Sequence, residues 1–133
     1  MKKTALIEKK KDGGYMVYSA DTISTIIGEG VSVMEAKADF ENTLKEVELD
    51  YEESGEALPE DLQGVVFEYK YDIASIFNYF DFINVSKFAK RVGINASLLR
   101  QYKTSNAYIS EAQAMKIRQA LRDVGEELSA ISL

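Results

Sequence analysis

The chain contains neither cysteine nor histidine. Without cysteine there is no disulfide framework and no thiolate chemistry. Without histidine the commonest general base, the commonest transition-metal ligand and any Ser-His or Cys-His dyad are missing. A single proline among 133 residues, against 46% apolar residues, points to a globular chain and not to a disordered one. No apolar run is long enough to span a bilayer. The opening Met1–Ile7 carries two lysines but too short an apolar stretch for a signal peptide. The expectation is a cytoplasmic protein with no membrane partner. Internal repeats and low-complexity segments are also missing.

Charge is unevenly spread. The net charge is −6, but residues 1–79 hold 8 basic and 17 acidic residues, a balance of −9. Residues 80–133 hold 8 basic and 5 acidic residues, a balance of +3. From Phe82 to Arg122 the only acid is Glu111. A basic segment can bind phosphates although the whole chain is acidic. The asymmetry divides the chain into a domain of residues 1–79 and a domain of residues 80–133.

Within the second part, Val85, Phe88, Ala89 and Val92 follow the spacing of one helical face. Ser86 suits the helix start and Gly93 its left-handed end. Ile94 plugs the turn, and Asn95 caps a second helix that buries Leu98, Leu99 and Tyr102. Small Ala89 lets the helices cross closely. This is the layout of a helix-turn-helix, whose second helix can enter a DNA major groove. The groove-facing candidates are Asn95, Ser97, Arg100, Gln101 and Thr104, since Arg reads guanine and Gln reads adenine through paired hydrogen bonds. Lys87, Lys90, Lys103, Tyr108 and Ser110 are placed for phosphates. Each of these is equally compatible with a plain solvated helix surface. Ser110 caps a last helix from Glu111 to about Val124, with Ala112, Met115, Ile117, Ala120, Leu121 and Val124 as its apolar face and Gly125 as its breaker. The expectation for residues 80–133 is a small all-α domain.

The first part reads as an α+β module. Thr4–Glu8 and Tyr15–Ser19 flank a charged turn ending in Gly13-Gly14, the pattern of a hairpin. Ser24–Gly28 is a third strand closed by Gly28-Glu29-Gly30, completing a meander. Ser32 and Glu35 form a capping box for a helix to about Tyr51, whose outer face is rich in acids. Ser54–Asp61 is a loop and Val65–Tyr71 a fourth strand. The order β-β-β-α-β packs a sheet on one helix. Ile73–Phe80 fits a short helix, an edge strand or a pairing surface. The aromatic cluster of Phe67, Tyr69, Tyr71, Phe77, Tyr79, Phe80 and Phe82 is dense enough to suggest self-association into a homodimer or higher homo-oligomer.

The order of parts resembles the HicB family of antitoxins from toxin–antitoxin systems. Leu6–Tyr15 looks like that family's first hairpin, Val31–Ala38 is similar to its strand-to-helix entry, and Gly55–Pro59 resembles its loop before the last strand. The second half looks like the phage-repressor type of helix-turn-helix that one branch carries. Where many members have a Pro-Gly-Cys-like segment, this chain has Ser19–Thr25. The resemblance implies a degraded ribonuclease-H-like module that binds and blocks a small basic ribonuclease toxin, and a helix-turn-helix that binds the operator of its own operon as a dimer. It implies no enzyme activity and no cofactor. An acidic domain suits a partner that must itself bind RNA phosphates.

Two other readings compete. One is a stand-alone transcription regulator with an N-terminal domain for dimerisation or ligand sensing, which needs a pocket in residues 1–79. The other is a metal-dependent nuclease, which needs Asp12, Asp21, Glu29, Glu35 and Asp39 to converge within metal distance.

Overall fold

A computed structural model describes residues 1–104 and 109–133, without the side chains of residues 102–104. The fold is α+β, with one five-stranded sheet and, among the described residues, five α-helices. Strands β1 (Lys2–Lys9) and β2 (Tyr15–Ser19) form the expected antiparallel hairpin, in a register that sets Ile7 beside Val17. Its turn is held by Asp12, whose Oδ1 accepts from the Gly14 amide at 3.0 Å, while Gly13 takes a φ of 102° that a side chain would strain. That amide, with Lys10 nearby, holds the Asp12 carboxyl below its ordinary pKa.

Strand β3 is Ile27–Gly30, later than the sequence pattern places it. The two glycines do not close the strand; they are half of it. Helix α1 (Val33–Ser54) lies directly on them. A Cβ on Gly28 would stand 2.1 Å from the Phe40 nitrogen, and one on Gly30 would stand 2.7 Å from the Ala36 nitrogen. Only bare backbone permits helix and strand to approach so closely. Ser24 and Thr25 belong instead to the preceding loop, which buried Ser19 ties off: its Oγ accepts from the Ile26 amide at 2.8 Å.

Ser32 caps α1 by accepting from the Glu35 amide at 3.1 Å, and Glu35 reaches back to the Val31 amide at 3.0 Å. The helix outruns Tyr51 by three residues, because the first left-handed residue is Gly55. Alternation along β1 and β2 sends Ala5, Ile7 and Val17 beneath α1, where they form a core with Ile26, Ala36, Phe40 and Leu62. Strand β4 (Val66–Tyr71) returns parallel to β1, and its Phe67 and Tyr69 meet the Phe40 ring edge-on at 5.0 and 6.2 Å.

Ile73–Phe80 resolves into a helix, α2 (Ile73–Tyr79), capped by Asp72. It joins α3 (Val85–Val92), α4 (Ala96–Thr104) and α5 (Glu111–Ser129) around a second core of Ile73, Phe77, Val85, Phe88, Ala89, Leu99, Ile109, Ala114 and Ile117. The second half is not all-α. Ile109–Ser110 forms β5, a two-residue strand antiparallel to Lys70–Tyr71 at the sheet edge, giving the order β3-β2-β1-β4-β5. Nor does Gly125 end α5; the helix passes through it to Ser129. The inner face of α5 uses Ala114 and Ile117, with Ala120 and Leu121 half-buried, while Ala112 and Met115 are exposed. The aromatic cluster is divided as well. Phe67 and Tyr69 serve the first core, Phe77 packs on Phe88 in the second, and Phe82 is exposed.

Several contacts among the described residues join the parts, besides the pairing of β5 with β4. Tyr71 packs against both cores. Lys37 of α1 bonds Glu111 of α5 at 2.6 Å. Lys9 sits over the rings of Tyr15, Tyr79 and Phe80, while its backbone amide donates to Ser75 of α2. No described helix is long and apolar enough to cross a membrane.

Two outcomes follow. Gly28→Ala drives a methyl into the α1 backbone and should cost about 1–3 kcal/mol, as overpacking does, read as a lower urea midpoint. The second concerns alkali. Burial, and then the Glu41 carboxylate accepting its hydroxyl, push Tyr69 up to about 12, and burial raises Tyr71 and Tyr15 as well. A phenol whose folded pKa exceeds its unfolded value stabilises fully below about 10, and that stability is lost as pH rises through the folded value. Urea midpoints should therefore fall between roughly pH 10 and 12. Tyr69→Phe should flatten that fall, and a slope identical to the parent's would refute the assignment.

Candidate functional site

The candidate face is built by α3, a three-residue turn and α4. Asn84, not Ser86, caps α3: its Oδ1 accepts from the Lys87 amide at 3.0 Å. The helix starts one residue before Ser86, so a side chain further back is needed to reach the free amides. Gly93, at φ 78°, ends α3, and the amides of Gly93 and Ile94 both return to the Ala89 carbonyl. Ala89 is fully buried, so nothing larger than a methyl separates α3 from the core beneath it. Asn95 then caps α4, accepting from the Leu98 amide at 3.1 Å. Leu99 anchors α4 at 0% exposure, with Ala96 half-buried beside it. Leu98, expected inside, is 37% exposed and borders the outer face.

On that outer face Asn95, Ser97, Arg100 and Gln101 are all exposed. Arg100 is braced from two helices. Its Nη1 donates to Ser86 Oγ of α3 at 2.7 Å, and its Nη2 to Ser97 Oγ at 3.3 Å. Ser86, released from capping, becomes the strut of the guanidinium. Lys87 and Lys90 stand exposed on α3. Arg91 follows them but pairs with Glu127 of α5, so it binds the helices together. Ser110 is exposed and carries the capping role expected of it. It lies in β5 at the sheet edge and caps α5 by accepting from the Gln113 amide at 3.4 Å. Beside it, the start of α5 is turned to α1 through Glu111 and Lys37. Tyr108 lies outside the described residues, as do the side chains of Lys103 and Thr104.

The hydrogen bonds thus bring Ser86, Ser97 and Arg100 into one patch spanning both helices. Sequence reasoning missed Ser86 in this role. It stands fourteen residues from Arg100, and a contact across two helices leaves no periodic trace. The half-buried Ser86 hydroxyl and the exposed Ser97 hydroxyl hold one planar cation as a preorganised donor surface, because the fork of a guanidinium is rigid once two of its nitrogens are held. No acid occurs between Phe82 and Ser110, so nothing in the sequence of that stretch opposes an approaching phosphate.

The acids of the first half are arranged differently. Asp21 accepts from the Thr4 amide, Asp39 from the Glu29 amide and Glu35 from the Val31 amide, while Glu29 pairs with Lys10. Each fastens a turn or strand end, and among the described residues no three acids gather as a metal-binding group. Further along α1, Glu46, Glu48, Asp50, Glu52 and Glu53 are exposed and form a dense anionic stretch. Shallow depressions lie along α5, one lined by Arg122, Gly125, Glu126, Ser129 and Ala130 and another shared with Arg91 of α3. No family model, no curated protein and no solved structure matches the chain.

Proposed function

We propose that the chain is an antitoxin of the HicB type that also represses its own operon. In this reading α3 and α4 are a helix-turn-helix whose second helix enters the major groove of operator DNA. The acidic α+β part grips a small basic ribonuclease toxin and blocks it, and the chain itself performs no catalysis. The observation that carries the DNA half is the exposed face of α4, on which Arg100 is braced by Ser86 and Ser97. Arg100 and Gln101 read base edges, and Lys87 and Lys90 hold phosphates. The toxin half is supported by the anionic stretch of α1 and by the order of parts in the sequence. Opposite potentials speed the encounter with a cationic partner and discourage wrong ones.

Arg100→Ala combined with Gln101→Ala should weaken specific binding by on the order of a hundredfold, since each paired base contact contributes about 1–3 kcal/mol. Fluorescence anisotropy on the DNA upstream of the chain's own reading frame measures this. Both residues are exposed, so circular dichroism should not change. Undiminished sequence-specific binding by the double variant overturns the DNA reading.

The toxin half is tested in the full chain, because a cut after residue 79 would strip Ile73 and Phe77 of the core they share with α3, α4 and α5. Glu46→Lys, Asp50→Lys and Glu53→Lys together reverse one exposed side of α1. Association with the basic protein encoded next door should slow by roughly tenfold or more at low salt, and the gap should close as salt rises. An on-rate indifferent to these reversals counts against α1 as the docking face.

A further inference from the structure

We infer that the surface where the β1–β2 turn meets the end of α2 binds single-stranded RNA, whose unpaired bases stack on Tyr79 and Phe82. The two cores absorb Phe67, Tyr69, Tyr71 and Phe77 but leave Tyr79, Phe80 and Phe82 outside. These three form a row. Tyr79 meets Phe80 at 4.8 Å and Phe80 meets Phe82 at 6.3 Å, each edge to face. Tyr79 is 42% exposed and Phe82 80%. Phe82 is held out, not left loose. The Ile83 amide donates to the Phe80 carbonyl at 3.1 Å, closing a turn that sends Ile83 to the second core and Phe82 to solvent.

A cationic turn is pinned against this row from far away in sequence. The Lys9 ammonium lies 4.3 Å from the centre of the Tyr15 ring, 4.8 Å from that of Tyr79 and 5.9 Å from that of Phe80. It also donates to the Gly13 carbonyl. A Cβ on Gly13 would stand 3.3 Å from the Tyr79 hydroxyl, so the turn lies directly on that ring. Lys10 is neutralised by Asp12 and Glu29. Among the described residues Lys9 pairs with no carboxylate, and Lys11 is exposed.

Exposed rings beside unneutralised lysines suit one occupant. A single strand offers a π-face at every base and a phosphate between each pair of bases, whereas a duplex keeps its base faces covered. Asn78, exposed beside Tyr79, carries both a donor and an acceptor, the complement of a ribose 2′-hydroxyl. Beyond Phe82 the sequence holds no acid before Glu111. Asp81, exposed within the row, opposes the phosphates and makes the choice of occupant testable by sign. A cationic protein docked here would need Asp81 and be repelled by Lys11. The row uses none of the residues assigned above to operator or toxin, so it stands or falls apart from that reading.

Fluorescence anisotropy of the full chain on a labelled, unstructured RNA of about twelve nucleotides, within the usual span of such sites, tests this. The parent should bind, and more weakly as salt rises. Phe82→Ala and Phe82→Leu should each weaken binding on the order of tenfold, while Phe82→Trp retains it, because stacking needs a ring and not merely an apolar group. Lys11→Glu should weaken binding and Asp81→Asn should strengthen it. All three positions are exposed, so circular dichroism should not change. The deoxy strand of the same sequence should bind several-fold more weakly, and equal affinity overturns the choice of RNA. A parent that leaves the anisotropy unchanged, binding indifferent to Phe82→Ala, or weakening by Asp81→Asn overturns the proposal. Arg100→Ala with Gln101→Ala should leave RNA binding intact. RNA binding that falls in that variant but not in Phe82→Ala would move the strand to α4 and refute the row. Loss of operator binding there, with RNA binding kept, separates the two sites.

Discussion

Half-buried Tyr71, packed against two cores, is the joint on which the architecture turns. Strand β4 runs parallel to β1 on one side and pairs with β5 on the other, so its last residue lies where the sheet hands over to the helices. Phe67 and Tyr69 look into the core beneath α1, and Tyr71 packs against that core and the helical one alike. A side chain shared by two cores cannot be shifted for one without loosening the other. The Lys37–Glu111 pair closes over the same region, and Lys37 also lies 4.5 Å from the centre of the Tyr69 ring. The result is one continuous structure in which the charge boundary of the sequence does not coincide with a break in packing. α2, on the acidic side of that boundary, is built into the helical core, and β5, on the basic side, into the sheet.

Much of this was legible because local chemistry dictated it. Gly13 and Gly14 after a charged run required a tight hairpin, and Ser32 followed by Glu35 required a helix start. Gly93 then Asn95 required an end and a new beginning, and the backbone answers with a left-handed residue and a side-chain cap. What stayed hidden was settled by partners distant in sequence. β3 contains two glycines and is poor in strand-forming residues, yet it is a strand because α1 needs a surface without Cβ atoms there. β5 is two residues long, below any periodic signal, and exists because Tyr71 offers it a free edge. Gly125 read as a stop, but a helix already docked by Ala114 and Ile117 tolerates one weak position. The candidate face shows the same division. The exposed positions of α4 followed from helical spacing. Ser86 as the brace of Arg100 depended on how α3 and α4 cross, which no pattern within either helix records.

The remaining question is how a chain of net charge −6 presents a cationic face at all. Position along α1 supplies the answer. The helix touches the second half at Lys37, a cation, and its earliest acids are spent on local hydrogen bonds: Glu35 on the Val31 amide and Asp39 on the Glu29 amide. Glu41, exposed like them, accepts from the Tyr69 hydroxyl, and the dense anionic stretch begins at Glu46. At a rise of 1.5 Å per residue, that is roughly 14 Å further along the helix. Physiological salt screens exposed charges over about 8 Å, so the anionic end of α1 is felt weakly where α1 meets α5. Lys37 and Glu111 neutralise each other between the two zones. Surfaces of opposite sign can then coexist in 133 residues, because a cancelled pair and an intervening stretch of helix keep their fields apart.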